Sequence, residues 1–480
     1  MVKNYNQNNY LVVDLDGTLT KTDLLLESFW SVISSNFFYA ILTLFSLFKG
    51  RAEFKRKLAN KSNIDLSTLP YNKIVIDYII KWRSLGGKTI LVTASDQLIA
   101  DKIGRHIQLF DEVQGSDGET NLKGTEKAKF LCKRFGSKNF AYMGDSRADF
   151  AVWKHASKII VVNASVRMRK RVDKKFQLVE HLIFPKSKFQ IYYKVLRPHQ
   201  WLKNLLIFIP FLAGHQFTET AIFQSLFAFI AFSMIASGIY IINDLFDLQH
   251  DRQNPLKRNR PLASGNINII VAMGISFLFL SIGMLIASRI NTNFFIISLL
   301  YFFITIAYSS YFKRLIIIDI CLLAIFYTIR LLAGSTASEI PLSFWLTSFS
   351  IFFFFSLAAI KRLDELVEIN SNGQLKINGR GYHVADLPII SQIASASGLT
   401  AVLVMALYLN SEEVIVLYSF PEALWGICLI LLFWTNRFII LANRGEIHGD
   451  PIVFALKDRV SLFSGLITLF LILIANYYYA

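Results

Sequence analysis

The chain has 480 residues, of which 54% are hydrophobic and 14% aromatic, and a formal net charge of +16 at pH 7. Its mean hydropathy is +0.43, and the apolar excess lies in long runs after residue 200, a composition typical of a membrane protein. The basic residues cluster between those runs, which favours a charged membrane face over nucleic acid as the partner. The three cysteines lie far apart in the sequence, which argues against a disulfide framework or a zinc site.

Residues 1 to about 190 are predicted to form an α/β domain. Residues 1–9 lack the apolar stretch of a signal peptide, so this domain is expected in the cytoplasm. Short apolar runs at 10–13, 89–92 and 140–143 each end at a polar residue and precede a helical pattern. Such runs are typical of buried parallel strands with active residues at their carboxyl ends.

Two carboxylates follow the first run. Asp14 can attack a phosphorus atom, and Asp16 can protonate the leaving oxygen and later activate water. Gly17 permits the tight turn that aims both groups. Thr93, which follows the second run, can donate a hydrogen bond to a phosphoryl group. These residues predict a phosphatase site.

Asp145 and Asp149 follow the third run and, with Asp14 and Asp16, are predicted to bind Mg²⁺. A lysine is expected to neutralise the phosphoryl charge. Lys127 is the preferred candidate, and its neighbour Lys123 is the alternative.

Together these motifs resemble the phosphatase branch of the haloacid dehalogenase superfamily, over about residues 8–165. The resemblance implies a Rossmann-like α/β domain with a helical cap, expected at about 21–80. A degenerate domain retained as a tether or regulator is the alternative.

The segment 24–48 is almost wholly apolar, with Glu27 as its only charge, and has the composition of a membrane span. A single crossing there would put Asp14 and Thr93 on opposite sides of the membrane. The segment is therefore predicted to belong to the cap, where it lies against the membrane or bends back as a hairpin.

Residues 191–480 are predicted to form an all-α polytopic membrane domain. About nine apolar runs have lengths suited to the hydrocarbon core, at about 202–215, 221–242, 266–288, 293–312, 315–333, 342–360, 388–409, 413–436 and 461–478. With a cytoplasmic N-terminus, the outer loops carry only Arg289, whereas basic residues abound in the inner loops. This predicts a multi-pass protein of the plasma (inner) membrane with its polar motifs on the cytoplasmic face.

The second run ends in an acidic motif made of Asn243, Asp244, Asp247 and Asp251. On a helix the three carboxylates would share one face, and so many charges beside a bilayer require a cation. Oxygen ligands suit Mg²⁺, which commonly bridges carboxylates and substrate phosphates. The basic residues that follow, Arg258 and Arg260 among them, are candidates for binding phosphate oxygens. A solvated helix end with mixed charges is the alternative.

This motif, with the Arg260–Gly265 stretch after it, resembles the UbiA-type intramembrane prenyltransferases, over about residues 195–480. The resemblance implies nine helices around a central cavity and a Mg²⁺-bound diphosphate substrate. Most members carry a second acidic cluster for a prenyl diphosphate, whereas this chain has Lys361, Arg362 and Glu365 at the matching position. That pattern resembles the branch that transfers phosphoribose from phosphoribosyl pyrophosphate to a polyprenyl phosphate.

An anionic lipid phosphate requires cations, and Lys203, Lys361 and Arg362 are the candidates. The lysine–arginine pair could also be an ordinary positive-inside flank. Arg330 lies within a span, where an unpaired charge is costly, so its expected partner is Glu365 or a substrate phosphate. The fusion suggests that the first domain removes the 5-phosphate from the lipid-linked product. The alternative is transfer from a prenyl diphosphate to an aromatic or other acceptor, with a regulatory first domain.

Overall fold

The computed structural model describes residues 10–117, 121–183, 188–214, 217–255, 257–377, 379–447 and 449–477. The chain divides into two compact units. The first, called here the α/β unit, combines Met1–Val195 with Ile241–Gly274, and the second, the helical unit, combines Leu196–Tyr240 with Ile275–Ala480. The inclusion of Ile241–Gly274 in the α/β unit is not indicated by the sequence, and it places the acidic motif of residues 243–251 in that unit.

The α/β unit is built on a six-stranded sheet with the order β3-β2-β1-β4-β5-β6, in which every neighbouring pair is parallel. The strands are β1 (Tyr10–Val13), β2 (Lys88–Asp96), β3 (Glu112–Ser116), β4 (Phe140–Gly144), β5 (Lys158–Val162) and β6 (Val179–Leu182). The three apolar runs are β1, β2 and β4, so the prediction of buried parallel strands is confirmed. These strands are adjacent at the centre of the sheet.

Both faces of the sheet are buried, which explains why its central strands are continuously apolar. Successive side chains point to opposite faces. Leu11 and Val13 pack in one hydrophobic cluster, and Val12 packs in the other with Ile90 and Val92.

The helices of this part of the chain are α1 (Leu24–Ser35), α2 (Phe37–Leu44), α3 (Arg51–Lys61), α4 (Lys73–Ser84), α5 (Gln97–Ile107), α6 (Thr125–Phe135), α7 (Phe150–Trp153), α8 (Val166–Lys175) and α9 (Lys188–Leu196). Helix α1 begins after Asp23, whose carboxylate accepts hydrogen bonds from the N–H groups of Leu25 and Leu26. Helices α1 to α3 occupy the interval in which a cap is predicted. Because β1 and β2 pair side by side, this interval does not separate Asp14 from Thr93.

The remaining helices are α10 (Ile209–Ala213), α11 (Glu219–Phe246), α12 (Leu248–Gln253), α13 (Ile269–Ile290), α14 (Thr292–Ser310), α15 (Ile318–Ser338), α16 (Phe344–Ser371), α17 (Leu387–Leu409), α18 (Glu412–Leu417), α19 (Trp425–Asn443), α20 (Pro451–Ala455) and α21 (Arg459–Tyr477). Within the described ranges, eight helices are long and apolar enough to cross a membrane. They are α11, α13, α14, α15, α16, α17, α19 and α21. These helices support a multi-pass membrane domain.

Two predicted spans differ from the observed elements. In place of a span at 202–215, a 3-10 helix, Pro198–Phe208, continues into the short α10. Pro210 lies in the first turn of α10, where its missing N–H costs little. The span predicted at 413–436 is divided between α18 and α19, with Pro421 at the start of the turn that precedes α19.

The core of the helical unit lies where α16 packs against α15, α17 and α19. Leu357, Ile360 and Leu363 of α16 contribute to this core, together with Tyr327 of α15 and Phe438 of α19. This packing holds the polar end of α16, with Lys361 and Arg362, in a fixed position.

Candidate active sites

Three acidic side chains converge at the carboxyl edge of the sheet. The carboxylate oxygens of Asp14, Asp145 and Asp149 lie within 4.8 Å of one another. Asp14 follows β1 and Asp145 follows β4, and these two strands are parallel neighbours. The parallel pairing therefore brings residues that are remote in sequence to one edge, as expected from the ends of the apolar runs.

Lys127 of α6 reaches into this cluster. Its Nζ donates to Asp14 Oδ1 at 2.8 Å, to the Val92 carbonyl at 3.1 Å and to the Tyr142 hydroxyl at 3.1 Å. Lys127 is buried, whereas Lys123 is exposed. The structure thus puts the preferred lysine, and not its alternative, beside Asp14.

Asp149 is oriented by two residues that the sequence analysis does not single out. The Tyr142 hydroxyl donates to Asp149 Oδ1 at 2.8 Å, and the Ser146 hydroxyl donates to Oδ2 at 2.8 Å. Tyr142 lies inside the third apolar run and has the pattern of a core residue. Its place in the cluster follows only from which face of β4 meets α6.

Asp16 and Thr93 lie near the cluster but have other partners. Asp16 Oδ1 accepts from the Leu24 N–H at 2.8 Å, and Oδ2 accepts from the Ser95 hydroxyl at 2.7 Å. Thr93 Oγ1 accepts from the Ser95 N–H at 3.0 Å. The structure does not bring the Asp16 carboxylate into the group formed by Asp14, Asp145 and Asp149. Ser95, which the sequence analysis missed, contacts both Asp16 and Thr93.

The cluster carries more negative than positive charge. Burial raises the pKa of Asp145 well above its ordinary value, and the nearby carboxylates of Asp149 and Asp14 raise it further. Burial likewise raises the pKa of Asp14, although the Lys127 ammonium opposes the change. Burial and the charge of Asp23 raise the pKa of Asp16 to about 7. A small divalent cation with a preference for oxygen ligands, such as Mg²⁺, fits this donor set.

Gly17 closes the turn beside this cluster. Its φ of +76° lies in the left-handed region, and an added Cβ would lie 2.3 Å from Asp145 Oδ2. Only glycine fits here.

The second acidic site straddles a break between two helices. Asn243 and Asp244 lie in the last turn of α11, and Asp251 lies in α12. The Asp247 N–H donates to the Asn243 carbonyl at 2.9 Å, and the Asp251 N–H donates to the Asp247 carbonyl at 2.8 Å. Helical spacing therefore persists across the break, which agrees with carboxylates that share one face.

Arg260 bridges two of these carboxylates. Its Nη1 lies 2.6 Å from Asp251 Oδ2 and 3.3 Å from Asp244 Oδ1. Burial raises the pKa of Asp251 to about 6 against the opposing charge of Arg260, and Asp244 and Asp247 add to the rise. Arg258, the other predicted phosphate ligand, is exposed.

Arg252, next to Asp251, makes a contact that the sequence does not indicate. Its Nη2 lies 2.6 Å from Glu27 Oε1 and its Nη1 lies 3.0 Å from Glu27 Oε2. The Arg252 Nε donates to the Ala263 carbonyl at 2.9 Å, and the Thr22 hydroxyl donates to Glu27 Oε1 at 2.7 Å. Glu27, the only charge in the apolar segment 24–48, thus pairs with an arginine of the segment that carries the acidic motif.

Two of the predicted cations in the helical unit share one carboxylate. Lys203 Nζ lies 2.6 Å from Asp450 Oδ2, and Lys361 Nζ lies 3.4 Å from the same oxygen. The Tyr327 hydroxyl donates to Asp450 as well. Burial would raise the pKa of Asp450, but the two ammonium groups more than offset this effect and hold the pKa below its ordinary value.

Arg330 has neutral partners. Its Nε donates to Asn204 Oδ1 at 2.8 Å, its Nη2 to the Tyr301 hydroxyl at 3.3 Å, and its Nη1 to the Phe326 carbonyl. Glu365, one of its two expected partners, instead pairs with other arginines.

Arg362 belongs to a charge-balanced network. It contacts Asp319 and Glu365 and is fully buried. Arg380 lies 2.9 Å from Asp319 Oδ1, and the Tyr308 hydroxyl donates to the same oxygen at 2.7 Å. Two arginines thus face two carboxylates, so the charges of this network balance, whereas two lysines share the one carboxylate of Asp450.

The family model described as the UbiA prenyltransferase family matches residues 205–445. Because this range covers half of the chain, the chain belongs to the UbiA prenyltransferase family. With the eight apolar helices of the described ranges, this makes it a multi-pass membrane protein with a transferase domain.

Two relatives and one solved structure illustrate the similarity. An uncharacterized protein of Sinorhizobium fredii is 37% identical over 95% of this chain and 89% of its own length. The decaprenyl-phosphate phosphoribosyltransferase of Mycolicibacterium smegmatis is 29% identical over 58% of this chain and 89% of its own length. A UbiA homolog from Archaeoglobus fulgidus bound to GPP and Mg²⁺ is 18% identical, with a TM-score of 0.45 over 59% of this chain and 99% of that chain.

Proposed function

We propose that this chain transfers 5-phosphoribose from phosphoribosyl pyrophosphate to a polyprenyl phosphate, and that its α/β unit then removes the 5-phosphate from the lipid-linked product. The observation that carries the proposal is the pair formed by the buried Lys203 and the partly buried Lys361, which share the single carboxylate of Asp450. The excess positive charge suits an anionic acceptor such as a lipid phosphate, because a buried charge requires a counter-charge. A neutral aromatic acceptor would not supply one.

Two further observations support an anionic acceptor and a ribose donor. Arg330 is buried among neutral partners, so its charge is also available to a substrate phosphate. The relative from Mycolicibacterium smegmatis bears the name of a decaprenyl-phosphate phosphoribosyltransferase. Arg362 and Glu365 are assigned a structural part in the same site, because their charges are balanced by Asp319 and Arg380.

Mg²⁺ would be held by Asn243, Asp244, Asp247 and Asp251, whose oxygen donors suit it. When bound, the ion would neutralise charge on the diphosphate of the donor. Arg260, which contacts Asp244 and Asp251, is positioned to bind diphosphate oxygens.

The reaction exchanges one bond at the ribose C1. The bond to the lipid phosphate oxygen forms while the bond to the leaving pyrophosphate breaks, so the charge on pyrophosphate increases as C1 gains oxocarbenium character. Arg260 stabilises the leaving group, and Lys203 and Lys361 hold the attacking phosphate. Catalysis is thus mainly positioning and electrostatic stabilisation.

The α/β unit is proposed to be a haloacid dehalogenase-type phosphatase. Asp14 attacks the phosphorus of the ester, Asp16 protonates the departing oxygen, and the aspartyl phosphate is then hydrolysed by water that Asp16 deprotonates. Lys127, 2.8 Å from Asp14, neutralises the phosphoryl group, and Thr93 orients it. Asp14, Asp145 and Asp149 would hold Mg²⁺. Both sites are proposed to face the cytoplasm, as sequential action requires.

The transferase is tested by incubating the purified full-length protein with Mg²⁺, labelled phosphoribosyl pyrophosphate and a polyprenyl phosphate. Wild type and the control Glu368→Gln, an exposed carboxylate at the end of α16, should give lipid-linked ribose, and Asp247→Asn should not. Unchanged product in Asp247→Asn would overturn the assignment. Release of pyrophosphate from a prenyl diphosphate in the presence of an aromatic acceptor, but not from phosphoribosyl pyrophosphate, would favour the alternative prenyltransferase.

The phosphatase is tested in the same mixture. Asp14→Asn should accumulate the phosphorylated lipid, whereas Glu126→Gln, which alters an exposed carboxylate of α6, should not. If Asp14→Asn transfers ribose yet accumulates no phosphorylated lipid, the phosphatase acts on another substrate or the α/β unit is a regulator.

A further inference from the structure

Helix α2 and the following 3-10 helix, Phe45–Lys49, expose a run of large apolar side chains. Phe38 is 79% exposed, Leu42 64%, Phe45 63% and Phe48 90%. With three less exposed neighbours they form what is called here the α2 patch, made of Phe37, Phe38, Ile41, Leu42, Leu44, Phe45 and Phe48. A contiguous apolar surface of this kind marks an interaction site.

The α2 patch is anchored from its inner side. Ala40, on the opposite face of α2, is buried and packs in a cluster with Val32, Phe54 and Leu58. The orientation of α2 is therefore set by its packing, and the exposed phenylalanines are not side chains that a small rotation of the helix would bury.

Helix α1, which directly precedes α2, packs against the end of a helix that is long and apolar enough to span a membrane. The Trp30 ring centroid lies 5.5 Å from that of Phe246, the last residue of α11. Phe37, the first residue of α2, follows Trp30 by only seven positions, and a single residue, Asn36, separates α1 from α2. The α2 patch thus begins within a few residues of a contact with the end of an apolar helix of spanning length.

Other contacts inside the α/β unit hold this region to the segment that connects α11 with α13, another apolar helix of spanning length. Glu27 of α1 forms the buried bidentate pair with Arg252. The Gly265 backbone approaches so closely that an added Cβ would lie 2.8 Å from Lys21 Cβ. These contacts tie α1 and the loop before it to the connecting segment within the α/β unit.

We propose that the α2 patch inserts into the lipid bilayer at the boundary between headgroups and acyl chains. Its phenylalanines would enter the acyl region, as in helices that lie in the membrane plane. The exposed Lys61, whose Nζ lies 5.7 Å from the centroid of the Tyr39 ring, supplies a cation for anionic headgroups. The inference concerns a surface that neither proposed reaction uses, so it stands independently of both.

The proposal is tested in liposomes that contain the full-length protein. Single cysteines replace Phe38 or Phe48 and are labelled with a small environment-sensitive fluorophore, and the signal of the unsubstituted protein, which has three cysteines of its own, is subtracted. Leu85→Cys and Leu178→Cys are the controls, because these side chains are similarly exposed, at 66% and 69%, and lie outside the patch. All four substitutions are at exposed positions, so we expect folding to be preserved.

Phosphatidylcholine brominated in its acyl chains should reduce the fluorescence at positions 38 and 48 about twofold, as for side chains held at the acyl boundary, and iodide in the aqueous phase should not quench them. The control labels should show the reverse. Quenching of the patch labels by iodide would overturn the proposal. Protection of these labels from both quenchers would also overturn it, since a second copy or another protein would then cover the patch.

Discussion

Glu27 and Arg252 form a buried bidentate ion pair although 225 positions separate them in the sequence. Their side chains are only 1% and 3% exposed. Glu27 lies one helical turn beyond Leu24, whose N–H binds Asp16, and Arg252 is the neighbour of Asp251. The pair therefore joins the segment that positions one acidic site to the segment that positions the other, within the same compact unit.

Removal of one partner of this pair should destabilise the α/β unit. Glu27→Gln leaves the Arg252 charge buried without its carboxylate, and the expected loss in the free energy of unfolding is about 3–5 kcal/mol. Denaturant titration of the detergent-solubilised protein, followed by tryptophan fluorescence, measures this loss. The control Glu126→Gln removes an exposed pair with Lys129 and should change the free energy by less than about 1 kcal/mol. Equal stabilities of the two variants would contradict a structural role for the pair.

Lys127 should be required for phosphate-ester hydrolysis. Lys127→Met removes the ammonium that contacts Asp14, and we expect kcat to fall at least about 100-fold, as for other groups that stabilise transition-state charge. Lys123→Met, at an exposed position on the preceding loop, serves as the control and should retain activity. Ribose transfer by the same preparations reports whether each variant is folded. Full hydrolysis by Lys127→Met would remove this residue from the site.

Gly17→Ala should also abolish hydrolysis, because its φ is +76° and an added Cβ would collide with the Asp145 carboxylate. Gly86→Ala separates backbone strain from collision, since Gly86 has a φ of +82° but no heavy atom within 4 Å of its added Cβ. We expect Gly86→Ala to lose roughly 1–3 kcal/mol of stability and to keep its turnover. Binding of Mg²⁺, measured by calorimetry, should weaken in Gly17→Ala alone. Similar turnover in the two variants would argue against a close contact between Gly17 and the acidic cluster.

Lys203→Met should weaken binding of the lipid phosphate. The substitution removes one of the two ammonium groups on Asp450, so the excess positive charge disappears. KM for the polyprenyl phosphate should therefore rise about tenfold or more, which corresponds to a loss of about 1.4 kcal/mol in binding free energy. KM for phosphoribosyl pyrophosphate should change little. Lys457→Met, at an exposed position of the same unit, is the matched control. A KM for the lipid that is the same in both variants would indicate that Lys203 has a purely structural part.

Much of the fold follows from local sequence patterns. The apolar runs of β1 and β2 end directly before Asp14 and Thr93, and the run of β4 ends two residues before Asp145. A parallel sheet necessarily gathers such ends at one edge. Most of the membrane helices follow from the length of their apolar runs, because hydrocarbon thickness sets that length. The spacing of Asp244, Asp247 and Asp251 follows from helical periodicity in the same way.

The choice of partners for buried charges depends on the tertiary structure. Nothing local in the sequence pairs Glu27 with Arg252, or assigns Lys203 and Lys361 to Asp450. Tyr142 has the pattern of a core residue until its face of β4 meets Lys127. The physical reason is that periodicity and run length depend on neighbouring residues, whereas a buried charge pairs with whichever opposite charge the packing of distant elements brings within a few ångströms.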